Sequence, residues 1–155
     1  MNSITAKKGQ ILQYKGDLNT KVYLVESGLL RSYTIDEKGR EHIFMFAPKG
    51  WIVADNLSAD EPADLFIDVL EEAVLVVKEK QIESEPHLQK MVNRLGVLQK
   101  RVIMLMSASA IERYEHFVNT YPDIVQRVPQ RMIASYLGIT PEALSKVKSE
   151  WLANR

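Results

Sequence analysis

The sequence predicts an α+β protein in which an N-terminal all-β domain, a sandwich or barrel, is followed by a long helix and a C-terminal helix-turn-helix. Three patterns lead to this fold class. In the first half, five glycines at intervals of 7 to 12 residues separate short runs rich in β-forming residues, which is typical of all-β sandwiches and barrels. In the middle, apolar residues recur at spacings of three and four, as in a helix that packs against a partner. Near the C-terminal end, two short amphipathic segments flank Gly138.

Composition narrows the possible classes of protein. The chain of 155 residues is 46% hydrophobic, which is enough to bury a core, and it contains no cysteine. The lack of cysteine excludes a disulfide scaffold, a thiolate metal site and a cysteine nucleophile. No stretch has the form of a signal peptide or the length of an apolar membrane span, so we expect a cytoplasmic protein without a membrane partner. The formal net charge is zero, but residues 127–155 carry five basic and two acidic side chains. A basic end of this kind is expected where a chain meets phosphate, with a solvated charged face as the alternative.

Residues 1–84 are predicted to form the all-β domain. The first four strands are expected at Ile11–Tyr14, Lys21–Val25, Leu29–Ile35 and His42–Phe46. Turns are expected at Gly16–Asp17, Glu26–Gly28 and Asp36–Gly39. The last of these turns lies between alternating strands and should close a hairpin.

A one-sided charge distribution follows these strands. Residues 55–72 contain seven carboxylates and neither lysine nor arginine. Residues 58–62 have loop-forming composition, and two further apolar strands are expected at Phe66–Leu70 and Ala73–Val77. We interpret the carboxylates as a solvated acidic loop.

Residues 85–108 are predicted to form a long helix that begins at Glu85–Pro86 and measures roughly 30 Å. Its apolar residues form a seam with the spacing of a coiled coil. The seam consists of Leu88, Met91, Leu95, Leu98, Val102 and Leu105. This seam is typical of a helix that covers the β domain and equally of a helix that pairs with a second copy of the chain. Because Val92 and Ile103 widen the apolar surface beyond one stripe, the sequence favours a homodimer.

Residues 109–155 are predicted to form the helix-turn-helix unit. Ser109 and Glu112 have the spacing of a capping box, so a helix should begin there. A second helix follows Pro129 and ends at Gly138, where the turn requires a left-handed backbone. Thr140 and Pro141 are a strong start for the third helix. Three further residues, Ala134, Leu144 and Val147, occupy the small and apolar positions at which two such helices cross. An ordinary pair of antiparallel helices is the alternative, but the combined pattern favours DNA binding.

These residues resemble the Crp/Fnr family of bacterial transcription factors over nearly the whole chain. The family's double-stranded β-roll, a cyclic-nucleotide-binding-like jelly roll, has opening strands that are similar to Lys8–Leu12, Gly16–Asp17, Val22–Gly28 and Leu30–Tyr33. Its dimer helix is similar to Met91–Leu105, and its recognition motif is similar to Ile133–Lys146. The resemblance implies a homodimer whose two recognition helices enter successive major grooves of double-stranded DNA. Such a dimer binds a near-palindromic site with half-sites about 34 Å apart.

The resemblance also implies which residues read the bases. Glu142, Ser145 and Lys146 match the family's Glu-x-x-Ser-Arg set, and Ser149 shares their face of the helix. A carboxylate can accept from cytosine N4, and a cationic side chain can donate to guanine O6 and N7. Because lysine replaces the usual arginine at position 146, we expect weaker base discrimination.

Three neighbouring side chains are candidates for phosphate contacts. These are Arg131, Thr140 and Lys148. For Arg131 and Lys148, a solvated helix surface is the alternative. The sequence ends four residues after Trp151, so we expect no complete wing after the recognition helix and fewer phosphate contacts. The family's N-terminal helix is likewise expected to be short or missing.

The effector site departs from the family pattern. Family members that bind cyclic nucleotide carry a Gly-Glu pair for the ribose and an Arg-Ser or Arg-Thr pair for the phosphate, whereas this chain has Ala54–Asp55 and Pro62–Leu65. Without that arginine, and among carboxylates, a phosphate would be repelled. We therefore expect a small-molecule effector of unknown identity, and not cyclic AMP bound in the usual mode. Neither a cofactor nor a metal is expected, since the lack of cysteine removes an iron–sulfur cluster and three scattered histidines give little support for haem.

An enzyme and an interaction module are the alternatives to a regulator. A metal-dependent enzyme on a β-barrel needs clustered histidine and carboxylate ligands, but the β-roll segment holds a single histidine, His42, so we do not expect an enzyme. A small-ligand or protein-interaction module with a vestigial helix-turn-helix stays open as the alternative to a regulator.

Overall fold

The computed structural model describes residues 2–55, 58–80 and 88–155. The chain divides into two compact units, residues 1–82 and residues 83–155. The predicted domain boundary at 84/85 and the predicted helix entrance at Glu85–Pro86 lie outside the described residues. An antiparallel β unit followed by helices is the α+β class that the sequence predicts.

In its described residues, the first unit is a single antiparallel sheet of six strands with the path β1–β6–β3–β4, in which β2 also pairs with β6 and β5 with β3. The strands are β1 (Asn2–Ala6), β2 (Ile11–Gln13), β3 (Lys21–Ile35), β4 (Glu41–Ala47), β5 (Ile52–Val53) and β6 (Phe66–Glu79). Strand β1 did not emerge from the sequence pattern. Inside the sheet, apolar side chains from β1, β3, β5 and β6 form the core, with Val25, Leu30, Val53, Ile67 and Leu75 all but fully buried.

The turn predicted at Glu26–Gly28 is wrong. Residues 21–35 form one strand of 15 residues, and its register against β6 shifts between Val25 and Ser27 and again before Leu30. These are β-bulges, which admit extra residues and bend a strand without ending it. Gly28 has φ +88°, and a Cβ there would lie 2.3 Å from the Glu72 carbonyl oxygen of β6. Glycine at this position therefore marks a bulge and a close backbone approach.

The two strands predicted at 66–70 and 73–77 are likewise one continuous strand, β6. The hairpin predicted at Asp36–Gly39 is confirmed. The Asp36 N–H donates to the Arg40 carbonyl (2.9 Å), and the Asp36 carboxylate accepts from the backbone N–H groups of Lys38 and Arg40.

The second unit contains four α-helices and one 3₁₀ turn in its described part. They are α1 (Leu88–Ser107), α2 (Ala110–Thr120), the 3₁₀ turn (Ile124–Gln126), α3 (Gln130–Leu137) and α4 (Pro141–Ala153). The predicted capping box is confirmed, because Ser109 and Glu112 exchange side-chain to backbone hydrogen bonds at the start of α2. Phe117, Tyr121 and Tyr136 meet with ring centroids 5.4 to 5.6 Å apart. This aromatic cluster joins α2 to α3 in the core of the unit.

Candidate functional site

The pair α3–α4 has the local geometry of a helix-turn-helix. Gly138 ends α3 in the left-handed conformation, with φ +66° and ψ 32°. Thr140 caps α4, since its Oγ1 accepts from the Ala143 N–H at 3.1 Å, and Pro141 follows at the first helical position. The three residues predicted to lie where the helices cross, Ala134, Leu144 and Val147, are all buried. This part of the sequence prediction is confirmed in structure.

The candidate base-reading residues lie on the outer face of α4. Glu142, Ser145, Lys146 and Ser149 are all exposed, while Leu144 and Val147 face the core. The Ser149 hydroxyl donates to the Ser145 carbonyl at 3.2 Å, a bond to the preceding turn that holds the hydroxyl against its own helix. Glu142, Ser145 and Lys146 thus present a compact group of one carboxylate, one hydroxyl and one ammonium.

The candidate phosphate contacts differ in exposure. Arg131, in the first turn of α3, and Thr140, at the start of α4, are exposed, while Lys148 is half-buried. Thr140 uses an oxygen lone pair for the cap, so its hydroxyl proton can still be donated. Both exposed groups lie close to helix N-termini, where free N–H groups and the helix dipole favour anions.

The seam of α1 is open to solvent. Leu88 is 70% exposed, Met91 51%, Leu95 64% and Val102 53%. Leu98 is half-buried, and Leu105 is 37% exposed. Contiguous apolar surface along 20 residues is rare on a monomer and marks an interaction surface.

A buried polar cluster in the β unit surrounds Asp55. One oxygen of its carboxylate, Oδ2, accepts from the backbone N–H groups of Asp64 (2.8 Å) and Leu65 (3.0 Å). The Gln13 side-chain nitrogen lies 3.5 Å from the same oxygen and donates to the Leu65 carbonyl at 2.8 Å. Burial lowers the pKa of Lys80, and the nearby charge of Asp55 opposes that shift. Adjacent backbone N–H groups form an anion-binding concavity, and here the anion is a side chain of the same protein.

A second buried cluster centres on Arg31. Its guanidinium donates to both oxygens of Asp68, at 2.8 and 3.0 Å, and to Glu41 at 2.6 Å. It also lies 4.0 Å from the centroid of the Tyr33 ring. Burial alone would lower the pKa of Arg31, but the bonds to Asp68 and Glu41 outweigh it and raise the pKa above its ordinary value.

The interpretation of residues 55–72 as a solvated acidic loop is therefore wrong in part: Asp55 and Asp68 are buried, Glu71 is half-buried, and the residues from Phe66 onward lie in strand β6. Asp55 and Asp68 are 4% and 9% exposed. Asp60, Glu61 and Asp64 are exposed, as expected. Sequence reasoning missed Asp68 because its partner Arg31 lies 37 residues earlier in the chain. It missed Asp55 because the donors are the backbone N–H groups of Asp64 and Leu65, which no side-chain pattern reveals.

Comparison with known proteins places this architecture in a family. Residues 3–82 match the model of the cyclic nucleotide-binding domain. The chain is 27% identical to the anaerobic regulatory protein of Aggregatibacter actinomycetemcomitans over 91% of its own length, and 26% identical to the nitrogen fixation regulation protein FixK of Rhizobium meliloti over 92%. The chain belongs to the Crp/Fnr family of transcriptional regulators. The resemblance drawn from the sequence is thereby confirmed.

Two solved structures share the fold. FixK2 from Bradyrhizobium japonicum superposes with a TM-score of 0.83 at 19% identity, covering 99% of this chain and 85% of that one. A Crp/Fnr-family transcriptional regulator from Thermus thermophilus superposes with a TM-score of 0.71 at 16% identity, covering 99% and 87%. The chain spans 63% of the length of the Aggregatibacter relative and 72% of that of the Rhizobium relative.

Two further observations concern the other classes of function. The relatives are named as regulatory proteins and not as enzymes. Within the described ranges, no three histidine and carboxylate side chains gather in a group that could hold a metal ion.

Among the helices that the structure describes, none is long and apolar enough to cross a membrane.

Proposed function

We propose that the chain acts as a homodimeric DNA-binding transcriptional regulator on a near-palindromic site. The observation that carries the proposal is the outer face of α4, where Glu142, Ser145 and Lys146 project from a helix whose other side is fixed by Leu144 and Val147. An α-helix of this kind fits the major groove. Family membership supports the same function.

Each exposed group on α4 has a partner on DNA. The Glu142 carboxylate can accept from cytosine N4, and the Lys146 ammonium can donate to guanine O6 and N7. The Ser145 hydroxyl can donate or accept. Arg131 and Thr140, near the N-termini of α3 and α4, suit phosphate contacts that set the depth and register of the helix.

The exposed seam of α1 supports the homodimer. A second copy of the same helix would cover residues such as Met91, Leu95 and Val102, in the manner of a coiled coil. Two copies of α4 would then be presented by one symmetric body, which is the arrangement that a palindromic site requires.

The two buried clusters of the β unit support an effector other than cyclic AMP. The Asp64 and Leu65 N–H groups are already bound to the Asp55 carboxylate, so a phosphate would have to displace an anion that is part of the chain. Arg31 is buried in the β unit and forms salt bridges with the carboxylates of Glu41 and Asp68. Gln13 Oε1 is buried and accepts no hydrogen bond from the described residues, so a donor group of an effector could bind there.

A gel-shift titration against random-sequence DNA at two salt concentrations tests the proposal. We expect a complex at low salt whose affinity falls steeply as salt rises, because phosphate contacts release counterions. Selection from the same library should return a near-palindromic sequence. If the dimer binds no DNA at low salt, the interaction-module alternative replaces the regulator.

Calorimetry with cyclic AMP tests the effector part separately. We expect no heat of binding with the intact chain. Micromolar affinity for cyclic AMP would contradict the assignment of Asp55 as an internal anion.

A further inference from the structure

Two arginines complete the C-terminal end of α3 from outside the helix. The last four carbonyls of any α-helix have no partner within it. In α3, the turn itself satisfies two of them, because the Gly138 N–H donates to Ser135 (3.2 Å) and the Ile139 N–H donates to Ala134 (3.0 Å). The remaining two carbonyls, those of Tyr136 and Leu137, are reached by arginine side chains.

Arg113 of α2 is the first of these arginines. Its Nη1 donates to the Leu137 carbonyl at 3.1 Å, its Nη2 to the Leu105 carbonyl at 2.6 Å and its Nε to the Ala108 carbonyl at 3.2 Å. Leu105 lies in the last turn of α1, and Ala108 follows that helix directly. One rigid, planar guanidinium therefore joins the C-terminal ends of α1 and α3.

Arg101 of α1 makes the second connection between the same helices. Its Nη2 donates to the Tyr136 carbonyl at 3.1 Å, and its guanidinium carbon lies 3.7 Å from the centroid of the Tyr136 ring. Positive charge at a helix C-terminus also opposes the negative end of the helix dipole. Arg101 and Arg113 thus each place a guanidinium group beside a carbonyl at the C-terminal end of α3.

The turn between α3 and α4 lies close to the Arg113 guanidinium. A methyl group added at Gly138 would lie 3.5 Å from Arg113 Nη1 and 3.6 Å from Leu105 Cδ2. Leu105 is thus both the last residue of the exposed seam of α1 and a neighbour of the turn that starts α4. A displacement at the end of α1 would therefore change the contacts of the turn that precedes α4.

We propose that Arg113, supported by Arg101, is a positioning residue that fixes the direction of α4 relative to α1. This inference rests on the proposed function. In a dimer built on α1, the angle between α1 and α4 sets the separation of the two recognition helices, and therefore the half-site spacing that the dimer accepts. The arginines touch carbonyls and not DNA, so their role is to align the two half-site contacts.

DNA binding by Arg113→Gln tests the proposal. The probes are the palindromic duplex selected by the unmodified chain and the same duplex with one half-site scrambled. We expect roughly tenfold or greater loss on the palindrome, because linked second contacts can raise affinity by 10²- to 10⁴-fold, and less than about twofold loss on the scrambled duplex. Arg113→Lys keeps the charge without the fork and should fall between. Lys100→Gln removes an exposed charge from the side of α1 that faces away from the seam and should behave as the unmodified chain.

Equal losses on both duplexes would overturn the proposal, since Arg113 would then only support the folding of the helix pair. No loss on either duplex would overturn it as well. The melting temperature should fall, because Arg113→Gln removes hydrogen bonds to three carbonyls, so binding is compared at a temperature at which both chains are folded. The dimer dissociation constant is measured alongside and should change little.

If the chain binds no DNA, the proposed function is refuted, but a distance measurement still tests the positioning role of Arg113. The chain has no cysteine, so Asn93→Cys and Glu150→Cys place one spin label on α1 and one on α4. Labelled chain is diluted with unlabelled chain so that each dimer holds one pair. We expect Arg113→Gln to broaden the distance distribution between the labels. An unchanged distribution would refute the positioning role.

Discussion

Leu95 lies in the middle of the exposed seam of α1, and its truncation tests the dimer. The side chain is 64% exposed in the single chain. Fully burying a leucine contributes about 1.5 to 3 kcal/mol, so covering the exposed part contributes about 1 to 2 kcal/mol in each protomer. Leu95→Ala removes this contribution twice per dimer, or about 2 to 4 kcal/mol. Since about 1.4 kcal/mol corresponds to a tenfold change, the dimer dissociation constant should rise roughly 30- to 700-fold.

Sedimentation at a series of protein concentrations measures this change directly. Leu152→Ala is a matched control, because Leu152 is 62% exposed but lies at the end of α4, and it should leave the dissociation constant unchanged. If Leu95→Ala and Leu152→Ala have the same small effect, the seam of α1 is not the dimer interface. A chain that stays monomeric at all concentrations would refute the homodimer itself.

Substitutions at three other sites test the remaining predictions. Lys146→Ala should relax sequence preference more than it weakens non-specific binding, as measured by titrating selected and random duplexes; equal losses would assign Lys146 to phosphate. Arg31→Met leaves Asp68 buried without its partner and should lower the free energy of unfolding by about 3 kcal/mol or more, whereas adding Asp68→Leu should recover part of that loss in denaturant melts. If the double variant is no more stable than the single one, the two groups do not act as a pair. Asp55→Ala leaves two backbone N–H groups without their acceptor and should cost about 1 to 3 kcal/mol. Added formate should restore part of this stability, and Asp55→Asn, whose amide oxygen can accept the same bonds, should lose less; absence of both effects would argue against the internal anion.

The C-terminal unit was largely predictable because its signals are local. Gly138 and Thr140–Pro141 specify a turn and a helix start through the backbone conformations and hydrogen bonds of adjacent residues. Ser109 and Glu112 specify another start in the same way. Apolar spacing then indicates which face of α4 is buried and, by exclusion, which face carries Glu142 and Lys146. Each of these signals spans four residues or fewer and is satisfied by hydrogen bonds within its own segment.

The β-roll was predictable in class and less so in detail. Glycine spacing identified the hairpin at Asp36–Gly39 correctly but turned the bulge at Gly28 into a false turn. The same residue type serves both purposes, because each needs φ > 0. What separates them is the Glu72 carbonyl of β6, which approaches Gly28 from a distant part of the chain. No pattern within β3 carries that information.

By itself, the sequence determined the order of β unit, long helix and helix-turn-helix, and the polar face of α4, since these follow from periodicity and capping within single segments. Tertiary structure alone decided that Asp55 and Asp68 are buried, because an acidic side chain can be buried only when donors such as Arg31 or the Asp64 N–H come to meet it. It also decided that Arg113 reaches three carbonyls on two separate helix ends. An arginine on a helix surface looks the same in sequence whether it faces water or joins two helices, since long-range contacts are set by how the helices pack and not by the residues beside it.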